Sequence, residues 1–404
     1  MTDAALAAPA APRRWAVAAG RFFVVSMLLC LGGLVLPSIL MVLPHISGHY
    51  GVHLQVAETL YDLPMLAIAA GAPLGGFLAD RFGYRITLLL SLLVYSLSSL
   101  AGPMSDAFML LLASRLVLGL AAGAMMAVAL ALVGAWYAGL ARSTVLGFAL
   151  AASAAVSALL LAVAGALSQA FMWRLPFLMF LALGLVTLAV AWMAVRGAFH
   201  SGQGLDAPAA SAAFRRLWPI CLVALVLAVG AFISAGEAWG LLKEGEITGV
   251  SAQDVIFTAG VAIAPILGAL AYSLACRWAG DRILLVLAAV LMGGGVAAML
   301  LQQTPPVLAA DIFILQFGAG LLTPVAASIV LARAPEALRA TAAGFLFGCF
   351  FLGRFLAPFA TGMLDPQFEA LTVLGIVGGM LLAVAGFAWA AGVGKAQPLQ
   401  GVAR

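Results

Sequence analysis

The stretch GGFLADRFGYRITLL, Gly75 to Leu89, breaks a long apolar run with Asp80, Arg81 and Arg85 packed into six residues. Such a concentration stands out in a 404-residue chain that is 65% hydrophobic and 8% charged. A soluble domain carries about 25% charged residues. Outward from this bend, apolar runs recur toward both ends of the chain. Each reaches the ~20 residues that cross a hydrocarbon core ~30 Å thick at ~1.5 Å per residue. The composition, with a mean hydropathy of +1.17, defines an all-α, polytopic integral membrane protein.

Gly, Pro and charge divide the chain into twelve predicted spans. Six fall at 20–43, 55–79, 86–103, 107–136, 143–169 and 173–195. Six more fall at 216–241, 252–276, 283–302, 307–332, 340–363 and 369–392. The longest connection, Arg196 to Arg215, is rich in Gly, Ser and Pro and reads as a linker. The expected organisation is a tail over 1–19, a six-helix bundle over 20–196, a linker over 197–215, a second bundle over 216–392 and a tail over 393–404.

The basic residues orient this map. Of 19 Lys and Arg, all but Arg115, Arg174, Lys243 and Arg354 fall on one side when the N-terminus is placed inside. An even number of spans with both termini cytoplasmic satisfies the positive-inside rule. The net charge of +4 is therefore a matter of topology and points to no nucleic acid. Residues 1–19 lack a cleavage site behind a short apolar core and read as a tail rather than a signal peptide. Cys30, Cys221, Cys276 and Cys349 lie in or at the ends of apolar runs, as small packing residues do, with no disulfide or metal pattern.

The two halves repeat. A shift of 197 residues lays Arg142-x-Thr144-x-x-Gly147-Phe148 on Arg339-x-Thr341-x-x-Gly344-Phe345 without a gap. The same shift pairs Gly83 with Gly280, Arg85 with Arg282, Gly123 with Gly320 and Gly165 with Gly362. Parallel six-helix repeats imply a transporter whose site lies between the halves near the membrane midplane.

At this point the residues resemble a known family. Gly76-Phe-Leu78-Ala79-Asp80-Arg81-Phe-Gly83-Tyr-Arg85 is similar to the loop 2–3 signature of the major facilitator superfamily, G-x-L-A-D-R-x-G-R-[KR], and sits between spans 2 and 3. Arg115-x-x-x-Gly119-x-x-x-Gly123 in span 4 resembles the superfamily's span 4 motif, and Trp173-Arg174-x-x-Phe177 opens span 6 in a way similar to many of its bacterial drug:proton antiporters. The resemblance implies two pseudo-symmetric six-helix bundles, alternating access, and a gating role for Gly76, Asp80, Arg81, Gly83 and Arg85. The alternative for that cluster is a plain topology anchor. In the second half Arg277 stands where Asp80 would be, so a matching latch is not expected there. Span 5, GFALAASAAVSALLLAVAGAL, also lacks the Gly-Pro typical of the antiporters. Span 11 instead carries Gly344, Gly348, Gly353, Arg354, Pro358 and Gly362.

Ionisable residues inside spans are costly and are functional candidates by default. Glu58 and Asp62 lie one turn apart in span 2, Arg115 in span 4, Glu237 in span 7 and Arg354 in span 11, all toward the outer half. Asp62 with Arg115, and Glu237 with or without Arg354, offer carboxyls that can exchange a proton as their surroundings change. Asp62, Glu237 and Glu58 are thus the proton-coupling candidates, unless the charges are static pairs. Asp311, at the start of span 10, is expected at the interface.

The chain has no Asn, and Gln316 is the one Gln well inside a span, which argues against a sugar substrate. Tyr61, Met126, Phe232 and Trp239 suit an apolar, adaptable cavity, though such residues also serve as packing. Glu237 beside Trp239 suits a cation; Arg115 or Arg354 suits an anion. His45, His49 and His53 cluster in a predicted outer loop and are weak metal candidates at most.

Two functions remain open on one fold. One is proton-coupled efflux of an amphiphilic small molecule. The other is an importer, symporter or facilitator of an organic anion or metallophore-like metabolite. No His lies within the spans to serve a hydrolase, and no G-x-x-x-x-G-K-[ST] loop occurs to bind ATP. The expected setting is a monomer in the bacterial inner membrane, with the proton as coupling ion and no cofactor.

Overall fold

The computed structural model describes residues 11–34, 37–170, 173–195, 207–243, 252–301, 304–364 and 369–394. The first half contains α1 (Ala11–Leu34), α2 (Pro37–Tyr50), α3 (Leu54–Phe82), α4 (Tyr84–Ser99), α5 (Ala101–Met104), α6 (Phe108–Trp136), α7 (Gly139–Ala170) and α8 (Leu175–Ala194). The second contains α9 (Ala207–Lys243), α10 (Ala252–Ala275), α11 (Asp281–Met299), α12 (Pro305–Arg333), α13 (Arg339–Leu364) and α14 (Ala370–Ala390). Among the described residues ten helices are long and apolar enough to cross a membrane, and Tyr84–Ser99 and Ala262–Ala275 are shorter apolar helices at the predicted spans 3 and 8.

Two boundaries differ from expectation. Helices α1 and α2 cover the described part of predicted span 1, and α2 runs on past its expected end at 43 to Tyr50. Because α2 runs on to Tyr50, His45 and His49 are helical rather than in a loop. Span 7 starts earlier: α9 begins at Ala207, inside the stretch expected to be linker.

The repeat is built into the packing. In the first half Gly71 of α3 faces the Leu120 carbonyl of α6, and Gly123 of α6 faces the Ile68 carbonyl of α3. In the second half Gly268 of α10 faces the Phe317 carbonyl of α12, and Gly320 of α12 faces the Pro265 carbonyl. All four positions correspond under the 197-residue shift. A side chain at any of them would collide with backbone, so glycine permits the helix crossing in both halves.

The halves meet along two seams that the same shift relates. On one, Gly344 of α13 lies against the Ala72 carbonyl of α3. On the other, Gly147 of α7 lies against the Ala269 carbonyl of α10. Helices α6 and α12 stand inside the bundle, with Ala121–Val133 and Leu321–Leu331 almost wholly buried.

Candidate functional site

Along the first seam α3 and α13 run antiparallel with small residues between them. Ala69 meets Gly348, Ala72 meets Gly344, and Gly76 meets Ala340 and Thr341. At one end Asp80 closes the seam. Its Oδ1 accepts from the Ala340 N–H at 3.1 Å, and its Oδ2 accepts from the Thr341 N–H at 2.8 Å and the Thr341 hydroxyl at 2.7 Å. The Tyr84 hydroxyl donates to Oδ1 at 3.4 Å. These amides open α13, where no intrahelical acceptor exists and the helix dipole favours an anion. Asp80 therefore caps a helix of the opposite half.

The bend that carries Asp80 is a single residue. Gly83, at φ 95°, is all that separates α3 from α4, a backbone that a side chain would strain. Arg81 lies over the Phe82 ring. Arg85 stacks 4.9 Å above the Trp192 ring and donates to the Trp192 carbonyl. Its counterpart Arg282 stacks 4.0 Å above Trp389 and donates to the Trp389 carbonyl. Both arginines fasten a helix end within their own half.

The second seam holds a tie that was not expected. Asp281, at the start of α11, accepts from the Tyr272 hydroxyl at 3.1 Å and from the Ser328 hydroxyl at 2.9 Å. Ser328 in turn lies 3.1 Å from the hydroxyl of Ser143 on α7. A carboxylate thus joins the halves here too, four residues beyond the Asp80 counterpart Arg277. It reaches hydroxyls instead of a helix N-terminus.

Between the seams is a cavity of about 610 Å³. Both halves line it, through α1 and α7 on one side and α9, α10, α11, α12 and α13 on the other. Its polar lining residues are Ser153, Ser157, Gln316, Thr323 and Arg354, among leucines, alanines, Phe232, Phe350 and Met292. Ser157 and Arg354 correspond under the repeat shift, so equivalent positions of α7 and α13 face the cavity. Among the described lining residues Arg354 is the one charged group.

Arg354 is held from two sides. Its guanidinium lies 4.3 Å above the Phe232 ring of α9, and its Nη2 donates to the Tyr61 hydroxyl of α3 at 3.0 Å. Its Nε is buried with no hydrogen-bond partner among the described residues. The hydrogen bond goes to a neutral phenol, so the positive charge is not cancelled there.

The other candidates divide by location. Phe232 and Gln316 line the cavity, and Tyr61 touches it through Arg354. Arg115 does not reach it. That residue is 1% exposed, deep in the first bundle, where it donates to the Ser98 carbonyl at 3.3 Å and lies 4.7 Å above Phe177. It forms no ion pair with Asp62. Met126 is likewise core, packed against Gly32 of α1. Asp62 is half-buried and Glu58 is exposed on α3, and Glu237 is half-buried on α9. The Trp239 side chain lies outside the described residues. Asp311 is buried within α12, which begins at Pro305.

The histidines show no metal site: among the described residues no group of three or more His, Cys, Asp or Glu could hold an ion. His49 instead contacts Arg174 at 3.1 Å beside Tyr50 and Trp173, and Arg174 pairs with Asp106 at 3.2 Å.

These placements carry a first prediction. Arg115→Ala leaves a core cavity and lowers the melting temperature, with large-to-small core changes costing about 2–5 kcal/mol. Ligand affinity of the folded protein stays unchanged, because Arg115 lies away from the cavity. A large loss of affinity with unaltered melting would place Arg115 in the binding site after all.

Two helical bundles related by a repeat, with a cavity between them and polar ties across the seams, define a secondary transporter fold. Residues 22–358 match the Major Facilitator Superfamily, and the chain belongs to that superfamily. It is 30% identical over 119 residues to the hexuronate transporter of Bacillus subtilis (strain 168), a match spanning 30% of this chain and 28% of that protein. Among solved structures it is similar to the human organic anion transporter MFSD10 (TETRAN), with a TM-score of 0.73 and 18% identity over 91% of this chain and 99% of that one. It is also similar to the proton:xylose symporter XylE bound to 6-bromo-6-deoxy-D-glucose, with a TM-score of 0.72 and 14% identity over 92% and 96% of the two chains. At these identities the two structures share the fold.

Proposed function

We propose that this transporter carries a small organic anion with an apolar body, and that Arg354 anchors the anionic group. The observation that carries the proposal is the charge of the cavity. Among the described lining residues Arg354 is the one charged group, and none of them is a carboxylate. A cation would meet Arg354 with no carboxylate among those residues to offset the repulsion, whereas a carboxylate matches the guanidinium fork. The apolar remainder of the wall suits a hydrocarbon or aromatic body. The hexuronate transporter and the organic anion transporter named above favour an anionic substrate too. Hexuronates, however, carry several hydroxyls, and Ser153, Ser157, Gln316 and Thr323 are few partners for them.

The setting in this proposal is the bacterial inner membrane, with a monomer whose termini and Asp80 end are cytoplasmic. The proton is the coupling ion. Asp62 and Glu58 lie one turn apart with no ion pair of their own among the described residues, and carboxyls so placed can take up and release a proton as the halves move.

The test uses purified protein in liposomes with a trapped pH dye and labelled solutes. Phenylacetate, hexanoate and glucuronate are compared with lipophilic cations. Saturable movement of a carboxylate, accompanied by proton flux that Asp62→Asn removes, is the expected result. Transport confined to cations would overturn the anion assignment. Carboxylate transport without proton flux would retain the substrate class and remove the coupling ion.

A further inference from the structure

The anion proposed above would meet more than a guanidinium. Tyr61 belongs to α3 in the first half and Arg354 to α13 in the second, and their hydrogen bond crosses the interface at 3.0 Å. Tyr61 is the acceptor in that bond, so its own hydroxyl proton points elsewhere. Among the described residues no acceptor is found for it. Arg354 similarly retains N–H groups beyond the one given to Tyr61.

We infer that Tyr61 is a specificity-determining residue: its hydroxyl completes the anion site from the opposite half and donates to the carboxylate held by Arg354. Three observations support this. First, the phenol oxygen lies within hydrogen-bond distance of the cavity-lining guanidinium, so a carboxylate on the fork stands beside it. Second, a carboxylate has about four lone-pair sites on two oxygens, more than one guanidinium edge fills. Third, an O–H whose oxygen accepts from a cation is polarised and becomes a stronger donor. The contact thus favours an acceptor-only group over an amide, whose NH2 would face two sets of donors.

The placement also lets the substrate bridge the halves. Phe232 fixes the guanidinium from within the second half, while Tyr61 approaches from the first. The two carboxylate oxygens would then touch α3 and α13 together. An empty site joins these helices there through one neutral-acceptor hydrogen bond; an occupied one adds charge-assisted bonds to both.

The inference rests on Arg354 as the anion anchor, and the experiment separates the two. The full chain in detergent is titrated calorimetrically with phenylacetate, hexanoate and glucuronate; the tightest binder is then compared with its primary amide. Tyr61→Phe keeps the ring and removes the donor. It should weaken the carboxylate by roughly ten- to a hundredfold, the effect of losing one hydrogen bond to a charged group, and leave the amide unchanged. A fluorinated tyrosine at position 61 keeps the shape and strengthens the donor, so it should bind the carboxylate more tightly than wild type. Equal weakening of acid and amide would reduce Tyr61 to a packing residue and overturn the inference. So would unaltered affinity in both Tyr61 variants while Arg354→Gln abolishes binding, and in that case the anion anchor stands. Full carboxylate binding by Arg354→Gln, or none by wild type, removes the anchor and this inference with it.

Discussion

Arg354→Gln abolishes saturable anion transport while leaving the protein folded. The guanidinium is the one charge on the described cavity wall, so its loss removes both the Coulombic attraction and the fork that matches a carboxylate. Truncating one partner of a buried, hydrogen-bonded charge pair costs about 2–5 kcal/mol. That is a loss of roughly thirtyfold to several thousandfold in affinity. Gln keeps a donor for Tyr61 yet carries no charge, and a neutral amide probe should bind the variant as it binds wild type. Arg354→Lys should fall between, because an ammonium restores the charge but neither stacks flat on Phe232 nor offers two parallel donors. Stability should not suffer, since Arg354 has a buried Nε without a partner and a desolvated cation contributes little to the empty protein. Calorimetric titration with a thermal melt on each variant checks both halves of the expectation. A variant that melts far below wild type and binds nothing would make Arg354 a structural residue.

The fold was legible because the bilayer leaves few choices. Long apolar runs, the side bias of arginine and the ungapped repeat specify two six-helix bundles without any contact being known. The repeat carried further than single motifs, since the shift that paired Gly123 with Gly320 also pairs the helix crossings and both seams. Asp80 and Arg354 were legible for one reason: charge is conspicuous in a chain with so little of it. What could not be read was which charges share a space. Counting residues along helices gives depth but not azimuth, so Arg115 and Arg354 were alike as anion candidates although one is bundle core and the other faces the cavity. Asp281 was not legible because the repeat register of Asp80 leads to Arg277, and Asp281 joins the halves through Ser328 and Ser143 instead. Ser157 was available from the repeat, as the counterpart of Arg354, but an isolated serine carries no signal until its neighbours are known.

Asp80→Ala should shift the transporter toward the state open at the Asp80 end. The carboxylate accepts from two N–H groups that open α13 and from the Thr341 hydroxyl, all of which lose their acceptor when α3 carries alanine. Removing a side-chain cap costs about 0.5–2 kcal/mol, and removing an anion from a helix N-terminus about 0.3–1 kcal/mol. Together these bias the equilibrium between the two states by roughly tenfold. Asp80→Asn retains an acceptor without the charge and should shift it less. A native thiol can report the change. Cys276 lies at the same end on the other seam, half-buried, 3.8 Å from the Thr144 hydroxyl across the interface. With the other three cysteines replaced, a membrane-impermeant maleimide should label Cys276 about tenfold faster in Asp80→Ala than in the parent, as the open population rises by that factor. Asp281→Asn should give a smaller acceleration, because its bonds go to hydroxyls that water can satisfy rather than to helix N–H groups. Unchanged labelling in Asp80→Ala would show that the small-residue packing of Ala72 against Gly344 and Gly76 against Ala340 holds the seam shut without the cap. The carboxylate would then only stiffen the start of α13.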